Sequence, residues 1–289
     1  MMALSIIIPA YDEEKSIKET LEEVLTFCKN NLKEYQVIVV DDASADNTPA
    51  IAARYGEVTV MKNPVNIGYG GSIKKALSEA RYEHVLIMDA DGTYSVGEIK
   101  KLLPFVGDFD MVVGARQGRH YRGSLMKRFS RFLFYLLLKY VTGESIPDAN
   151  SGLRIFKKSV VMKFTDDLCS GFSFTTTITI IMLSNQYLIK FIPIEYKKRI
   201  GKSKVRFVRD SLRTIQILLQ NISYYNPIKA FLPFSAVSIL AAEYFALRYV
   251  IADLDVYLLC AVIFSVSSML FFAFGLMGHI IVTGKRNRS

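Results

Sequence analysis

The chain has 289 residues, 51% of them hydrophobic, with 36 Lys and Arg against 27 Asp and Glu, a formal charge of +9. This length accommodates one sizeable domain plus an appendage and the composition excludes a disordered chain, while the charge calls for an anionic partner such as phosphates, anionic lipid or nucleic acid. The cysteines, Cys28, Cys169 and Cys260, are odd in number, far apart and without C-x-x-C spacing, which indicates neither a disulfide framework nor a zinc site and suits a reducing compartment.

Residues 4–8, Leu-Ser-Ile-Ile-Ile, predict a buried first strand closed by Pro9. The run is too short for a signal peptide and no basic segment precedes it, so the bulk of the chain is expected in the cytoplasm. Ile17, Leu21, Val24 and Leu25 carry helical spacing over 13–29, and residues 36–40 predict a second strand ending in Asp41 and Asp42. Thr48 is expected to cap a helix whose first residue is Pro49. Residues 58–61 make a third strand, and Asn66-Ile-Gly-Tyr-Gly-Gly-Ser72 opens a helix to about residue 80. The unbroken apolar run 85–88 suits a strand buried on both faces, and 109–114 is one more. Strands alternating with helices predict an α/β fold with a parallel sheet; beyond residue 114 the alternation stops.

Leu125, Phe129, Phe132, Leu136 and Tyr140 fall on one face of a helix predicted over 124–140, with Lys127, Arg128, Arg131 and Lys139 beside it. Val208, Leu212, Ile215, Leu219 and Ile222 repeat the pattern with Arg206, Arg209 and Arg213. Such a helix packs in a core or lies on a membrane surface, and the repetition favours the membrane. Residues 256–283 carry His279 as their sole Asp, Glu, Lys, Arg or His and exceed the ~20 residues needed to cross a bilayer. Residues 230–252 are long enough as well, although Glu243 and Arg248 are costly in hydrocarbon unless paired or snorkelling. Basic flanks at 197–213 and 285–288 around the acidic Asp253-Leu-Asp255 predict a hairpin with both ends cytoplasmic. The expected organisation is a catalytic domain over 1–205, an amphipathic interface helix over 206–227 and a two-span hairpin with a basic tail over 228–289.

The stretch Val85-Leu-Ile-Met-Asp-Ala-Asp-Gly-Thr-Tyr94 sets the chemistry. Asp89 and Asp91 sit at a strand's carboxyl end, the edge where open α/β sheets bind ligands, and residues two apart on an extended chain project to one side. Both carboxylates can face one Mg²⁺ or Mn²⁺ bridging to a diphosphate, whereas an isolated D-x-D is ordinarily just an Asp-Gly turn. Asp12, Glu13 and Glu14 follow the first strand and Asp41 and Asp42 the second, so the sheet gathers acid at one edge; Glu14 and Asp46 suit solvated loops. A cation on Asp89 and Asp91, with arginines such as Arg116, reverses the repulsion of a nucleotide by that edge. No G-x-G-x-x-G follows the first strand, and Gly201-Lys202-Ser203 lacks the earlier glycine of a P-loop, Tyr196 standing there. G-x-S-x-G and H-E-x-x-H are absent, and His84, His120 and His279 are scattered. Basic residues flank apolar helices rather than interleaving with aromatics, which disfavours nucleic acid.

Ser5-Ile-Ile-Ile-Pro-Ala-Tyr-Asp-Glu13, Val39-Val-Asp-Asp-Ala-Ser44, Asp89-Ala-Asp-Gly92, Val113-Gly-Ala-Arg116 and Asp148-Ala-Asn-Ser-Gly-Leu-Arg154 together resemble the ordered motifs of family 2 glycosyltransferases with a GT-A fold. More narrowly, residues 4–205 resemble polyprenyl-phosphate (dolichyl-phosphate) mannose and glucose synthases. The resemblance implies that Pro9, Tyr11, Glu13, Asp42, Asp89, Ala90 and Asp91 line the nucleotide site and that Asp89 and Asp91 hold the metal. It implies acceptor-phosphate contacts from basic residues after the D-x-D and before the membrane region, here Lys127, Arg128, Arg199, Lys202 and Lys204. Family members often carry Gln as a further metal ligand where this chain has Thr93. The Q-x-x-R-W motif of processive synthases is absent, since the chain has no Trp, which favours single-sugar transfer.

The expected activity is inverting, metal-dependent transfer of one sugar from a nucleoside-diphosphate sugar, of the GDP-mannose or UDP-glucose class, to a polyprenyl or dolichyl phosphate at the cytoplasmic face. The cation held by Asp91 and Asp89, with Arg116, stabilises leaving-group charge and Asp148 is the candidate orienting carboxylate. The expected partners are donor, acceptor and membrane lipid, not nucleic acid, and a homo-oligomer is compatible with them. Two rivals are a transferase acting on a lipid or glycan hydroxyl, which needs a carboxylate base, and a membrane-anchored nucleotide-sugar binding protein without turnover, which predicts a damaged D-x-D where both aspartates stand here.

Overall fold

The computed structural model describes residues 2–118, 125–200, 216, 219–220, 222–223 and 226–286, the side chains of 125–127 and 285–286 excepted. The chain divides into two compact units, Met1–Thr214 and Ile215–Ser289.

In the first unit a seven-stranded sheet has the order β3-β2-β1-β4-β6-β5-β7. The strands are β1 (Ala3–Ala10), β2 (Glu34–Asp41), β3 (Val58–Lys62), β4 (His84–Ile87), β5 (Met111–Gln117), β6 (Arg154–Lys157) and β7 (Ile189–Glu195). The helices are α1 (Ile17–Asn31), α2 (Thr48–Ala52), α3 (Tyr69–Glu79), α4 (Val96–Leu102), α5 (Leu125–Thr142), α6 (Lys158–Met162) and α7 (Phe174–Ser184). Side chains alternate across the pleat: Leu4, Ile6, Ile8, Val37 and Val39 join the core formed with Ile17, Leu21 and Val24 of α1. Helix α3 covers β1 and β2, burying Ile73, Ala76 and Leu77. Val85, Leu86 and Ile87 are wholly buried, as a strand covered on both faces requires.

β1 extends through Pro9 instead of stopping before it. The carbonyl of Ile7 accepts from Met88 N, so the odd-numbered residues of β1 turn toward β4, and the last β1–β4 pair is Ile7 with Ile87. The missing N–H of Pro9 therefore falls where that ladder has ended.

The mostly parallel sheet expected from the sequence is borne out with one addition. β6 is antiparallel to both neighbours, β4 and β5. Its amino end, not its carboxyl end, opens at the edge where β1, β2, β4, β5 and β7 finish. β6 and β7 lie beyond residue 114, where the hydrophobic pattern predicted no further alternation. Thr48 is not a helix cap: it lies inside α2, and its hydroxyl accepts from Glu13 N at 2.8 Å while donating to Asp46. It ties the loop after β2 to the loop after β1. On α5, Phe129, Phe132, Leu136 and Tyr140 are exposed, so this face is not part of its own unit's core.

In the second unit α8 (Pro227–Ala252) and α9 (Asp255–Arg286) form a pair. Asn226 caps α8, its side chain accepting from Lys229 N, and Pro227 takes the first turn, where no N–H is needed. Ser235 and Ser268 exchange hydroxyl-to-carbonyl bonds of 3.1 and 3.0 Å, and Phe234 packs on Phe271 and Phe245 on Phe264. Both helices are long and apolar enough to cross a membrane. Arg248 lies over the Tyr257 ring, 5.4 Å from its centroid, whereas Glu243 faces outward from α8. Most of the amphipathic segment predicted over 206–227 lies outside the described residues.

Candidate active site

The site is assembled where strand ends meet. Asp12 after β1 (φ 49°) and Ala43 after β2 (φ 63°) both occupy the left-handed region, so sharp, strained reversals mark this edge. They are held locally: Ala45 N donates to Asp12 at 2.8 Å, and Ser44 N to Asp41 at 3.3 Å. Glu14 and Asp46, expected as solvated loop acids, accept backbone bonds between the same two loops.

Asp42 is 4% exposed and accepts three bonds of 2.9 Å, from Asn63 Nδ2, Ile67 N and Gly68 N. It thereby fixes the entry to α3, where Gly68 (φ 88°) sits under the carbonyl of Ser170, a backbone approach a Cβ would block at 2.7 Å. The next residue, Tyr69, donates its hydroxyl to Asp89 Oδ1 at 2.9 Å. The loop after β2 thus places a donor on the carboxylate after β4.

Asp89 and Asp91 leave β4 together. Burial first, and then the charge of Asp91, push the Asp89 carboxyl up to about 6, against the Tyr69 hydrogen bond and the positive charges of Arg116 and Arg199. Asp91 Oδ1 accepts from Thr93 N at 3.1 Å and from the Thr93 hydroxyl at 2.5 Å. The residue that departs from the family pattern therefore orients the second aspartate. Desolvation and the nearby Asp91 charge make Asp89 costly to ionise, so the pair is a donor set that a hard divalent cation relieves. Among the described residues no group of three or more His, Cys, Asp or Glu side chains could hold a metal, so two carboxylates plus substrate phosphates is the set that fits.

The antiparallel β6 supplies the opposite wall, since residues 148–153 run into its amino end. Gly152 lies so near Asp89 that a Cβ there would stand 2.3 Å from Oδ2. Its N–H donates to the Tyr94 hydroxyl at 2.8 Å. Asp148 grips Arg116 by two side-chain bonds, Nε at 2.7 Å and Nη2 at 2.9 Å, and takes the Arg116 N–H at 3.1 Å. The Arg116 guanidinium also lies over the Tyr196 ring, 5.3 Å from its centroid. The structure brings these two predicted residues together as a fork-to-fork ion pair.

Segment 196–200 crosses from β7 to the D-x-D turn. Lys197 N donates to Thr93 O at 2.9 Å and Ile200 N to Asp91 O at 3.1 Å. Arg199 then reaches Glu13 Oε1 at 2.5 Å and Asp91 Oδ2 at 3.3 Å. Pro9 is within β1, Tyr11 is 37% exposed at its end, and Ala90 is buried between the two aspartates. Of the expected phosphate ligands, Arg199 has carboxylate partners here and Arg128 is exposed on α5. Lys202, Lys204 and the side chain of Lys127 lie outside the described residues.

Tyr69, Tyr94, Gly152 and Arg154 were not predicted as site residues. Arg154 is fully buried and binds neutral oxygens: Ala149 O, Ser151 O, Thr175 O and the Thr179 hydroxyl. Burial brings its pKa down to about 10, still charged at neutral pH. It clamps the loop that carries Asp148 and Gly152. The quoted motif ends in Arg154, the one signal that singled it out.

The model for glycosyl transferase family 2 matches residues 5–165, more than half of the chain. The chain belongs to that family. It is 31% identical over 228 residues to the low-salt glycan biosynthesis hexosyltransferase of Haloferax volcanii, covering 77% of this chain and 54% of that protein. It thus spans about half the length of this relative. A dolichyl-phosphate beta-glucosyltransferase of Saccharomyces cerevisiae is 24% identical over 75% of this chain and 73% of its own. The undecaprenyl-phosphate 4-deoxy-4-formamido-L-arabinose transferase of Salmonella choleraesuis is 25% identical over 96% and 88%. Among solved structures, glucosyl-3-phosphoglycerate synthase from Mycobacterium tuberculosis, in complex with Mn²⁺, UDP-glucose and phosphoglyceric acid, superposes with a TM-score of 0.63. Identity to it is 18%, over 76% of this chain and 80% of that one, a likeness of fold that bears out the GT-A class.

Proposed function

We propose that this family 2 glycosyltransferase moves one sugar, with inversion, from a nucleoside-diphosphate sugar of the GDP-mannose or UDP-glucose class to a polyprenyl or dolichyl phosphate. The observation that carries the proposal is the acidic pair Asp89 and Asp91 at the sheet edge, faced by Arg116 and Arg199 from two other strand ends. Its relatives' names, dolichyl-phosphate and undecaprenyl-phosphate sugar transferases, support the acceptor class.

Asp89 and Asp91 would hold a Mg²⁺ or Mn²⁺, whose chemistry is to neutralise the diphosphate as it leaves. Pro9, Tyr11, Glu13, Asp42 and Ala90 would line the nucleotide. Arg116, held by Asp148, offers positive charge that needs no reorganisation during the reaction. Asp148 then acts as the positioning carboxylate for Arg116. An acceptor phosphate is already anionic at neutral pH, so it needs alignment more than a strong base.

The domain plan is catalytic over 1–205, interfacial over 206–227 and membrane hairpin over 228–289, with the catalytic unit cytoplasmic. The two long apolar helices and the basic flanks support it. The exposed face of α5, with Arg128, Arg131 and Lys139, suits contact with anionic headgroups at about 1 kcal/mol per cation.

The test is to incubate membranes containing the protein with labelled nucleotide sugars and polyprenyl phosphate and to analyse the lipid extract. A labelled polyprenyl-phosphate sugar, absent with Asp91→Ala, is expected. Label recovered only on a neutral lipid or glycan would replace the phosphate acceptor by a hydroxyl.

A further inference from the structure

Arg199 stands between two acids that come from different strands. Nη2 binds Glu13 at 2.5 Å and Nη1 lies 3.3 Å from Asp91 Oδ2. Oδ1 of Asp91 already accepts both Thr93 donors, so Oδ2 is the oxygen through which Asp91 meets a further partner. The guanidinium is delivered by backbone, not by a wandering side chain: Lys197 and Ile200, on either side, donate to Thr93 O and Asp91 O. Its third donor type, Nε, is buried and has no hydrogen-bond partner among the described residues. A buried N–H without an acceptor is costly, and an oxygen of a bound ligand would satisfy it.

A guanidinium and a divalent cation on one carboxylate oxygen repel each other, so the two compete for Asp91 Oδ2. We propose that Arg199 and the divalent cation are alternative partners of Asp91 Oδ2, so that loading the cation displaces the guanidinium from Asp91 and hands its donors, Nε included, to a phosphate. The inference rests on the assignment of Asp89 and Asp91 to that cation. Linkage makes it reciprocal: a phosphate that captures Arg199 tightens the cation, and the cation tightens that phosphate. Arg199 thus gates cation loading by the availability of phosphate, and it keeps Asp91 partnered otherwise.

The experiment measures Mn²⁺ affinity of the full chain in detergent from the electron paramagnetic resonance signal of free Mn²⁺, without donor. Arg199→Gln should bind Mn²⁺ more tightly, by about 5- to 150-fold, the usual span of a coupling free energy. Arg199→Lys, which keeps the charge and loses the fork, should fall between. Lys198→Gln removes a neighbouring charge that lines the recess beside Glu19 and Glu23 and should change affinity little. The titrations are repeated with a nucleoside diphosphate and with a short prenyl monophosphate. The ligand whose enhancement of Mn²⁺ binding shrinks in Arg199→Gln is the one that Arg199 takes. Equal affinity of wild type and Arg199→Gln, or an equal gain from Lys198→Gln, overturns the competition, and enhancement unchanged for both phosphates overturns the hand-over. Mn²⁺ binding that survives Asp91→Ala, or none in wild type and Arg199→Gln alike, overturns the cation assignment and the competition with it.

Discussion

Arg154→Met removes a buried cation whose guanidinium makes five bonds to neutral oxygens: Nε to Ser151 O, Nη1 to Thr175 O and Thr179 Oγ1, and Nη2 to Ala149 O and Ser151 O. Methionine fills part of the space and donates nothing. The buried carbonyls of Ala149 and Ser151 then lose these donors, at about 1–3 kcal/mol each, while Thr175 O keeps the Thr179 hydroxyl at 2.8 Å. Relief from burying the charge offsets part of this. Taking about 4 kcal/mol, and about 2–4 °C per kcal/mol for a unit of this size, the melting point falls by roughly 8–16 °C. The chain has 16 Tyr and no Trp, so tyrosine fluorescence of the full protein in detergent follows the transition. Arg154→Lys keeps the charge but reaches fewer acceptors, and should lose about half as much. A melting point for Arg154→Met within about 2 °C of wild type would refute the clamp.

Gly152→Ala drives a Cβ to within 2.3 Å of the Asp89 carboxylate, so sugar transfer should fall by about 100-fold with little change in melting point. Thr93→Val keeps the shape but removes the hydroxyl on Asp91; transfer should drop about 10-fold, checked at saturating Mn²⁺. Burial raises the Cys28 thiol to about 12, so it stays protonated at pH 8 and should resist iodoacetamide until the protein unfolds, as peptide mapping would reveal. By linkage, a thiol raised in the fold lowers stability only above its ordinary 9.0, where the unfolded chain releases the proton first. Cysteine placed at Ser289 should label from the side that carries the catalytic unit; labelling from the opposite side in sealed vesicles means that one of α8 and α9 fails to span.

The sequence by itself determined the elements whose signal is local. A continuous apolar run fixed β4, helical periodicity fixed α1, and two long apolar stretches fixed α8 and α9, because burial on both faces, on one face, or in hydrocarbon each leaves its own period in the chain. The position of Asp89 and Asp91 was equally legible, since a strand's end is where its carboxylates must go. Tertiary structure alone decided what those carboxylates touch. β6 is four residues long, too short for a period, yet its insertion between β4 and β5 turns residues 148–153 toward Asp89 and pairs Asp148 with Arg116. Thr48 has the composition of a helix cap, but the neighbouring loop offered its hydroxyl the Glu13 N–H instead. Arg199 is 186 residues from Glu13 along the chain and meets it because segment 196–200 crosses from the end of β7 to the turn after β4. Contacts of that kind follow from strand order and direction, which non-local packing sets and which the pattern of any single segment does not encode.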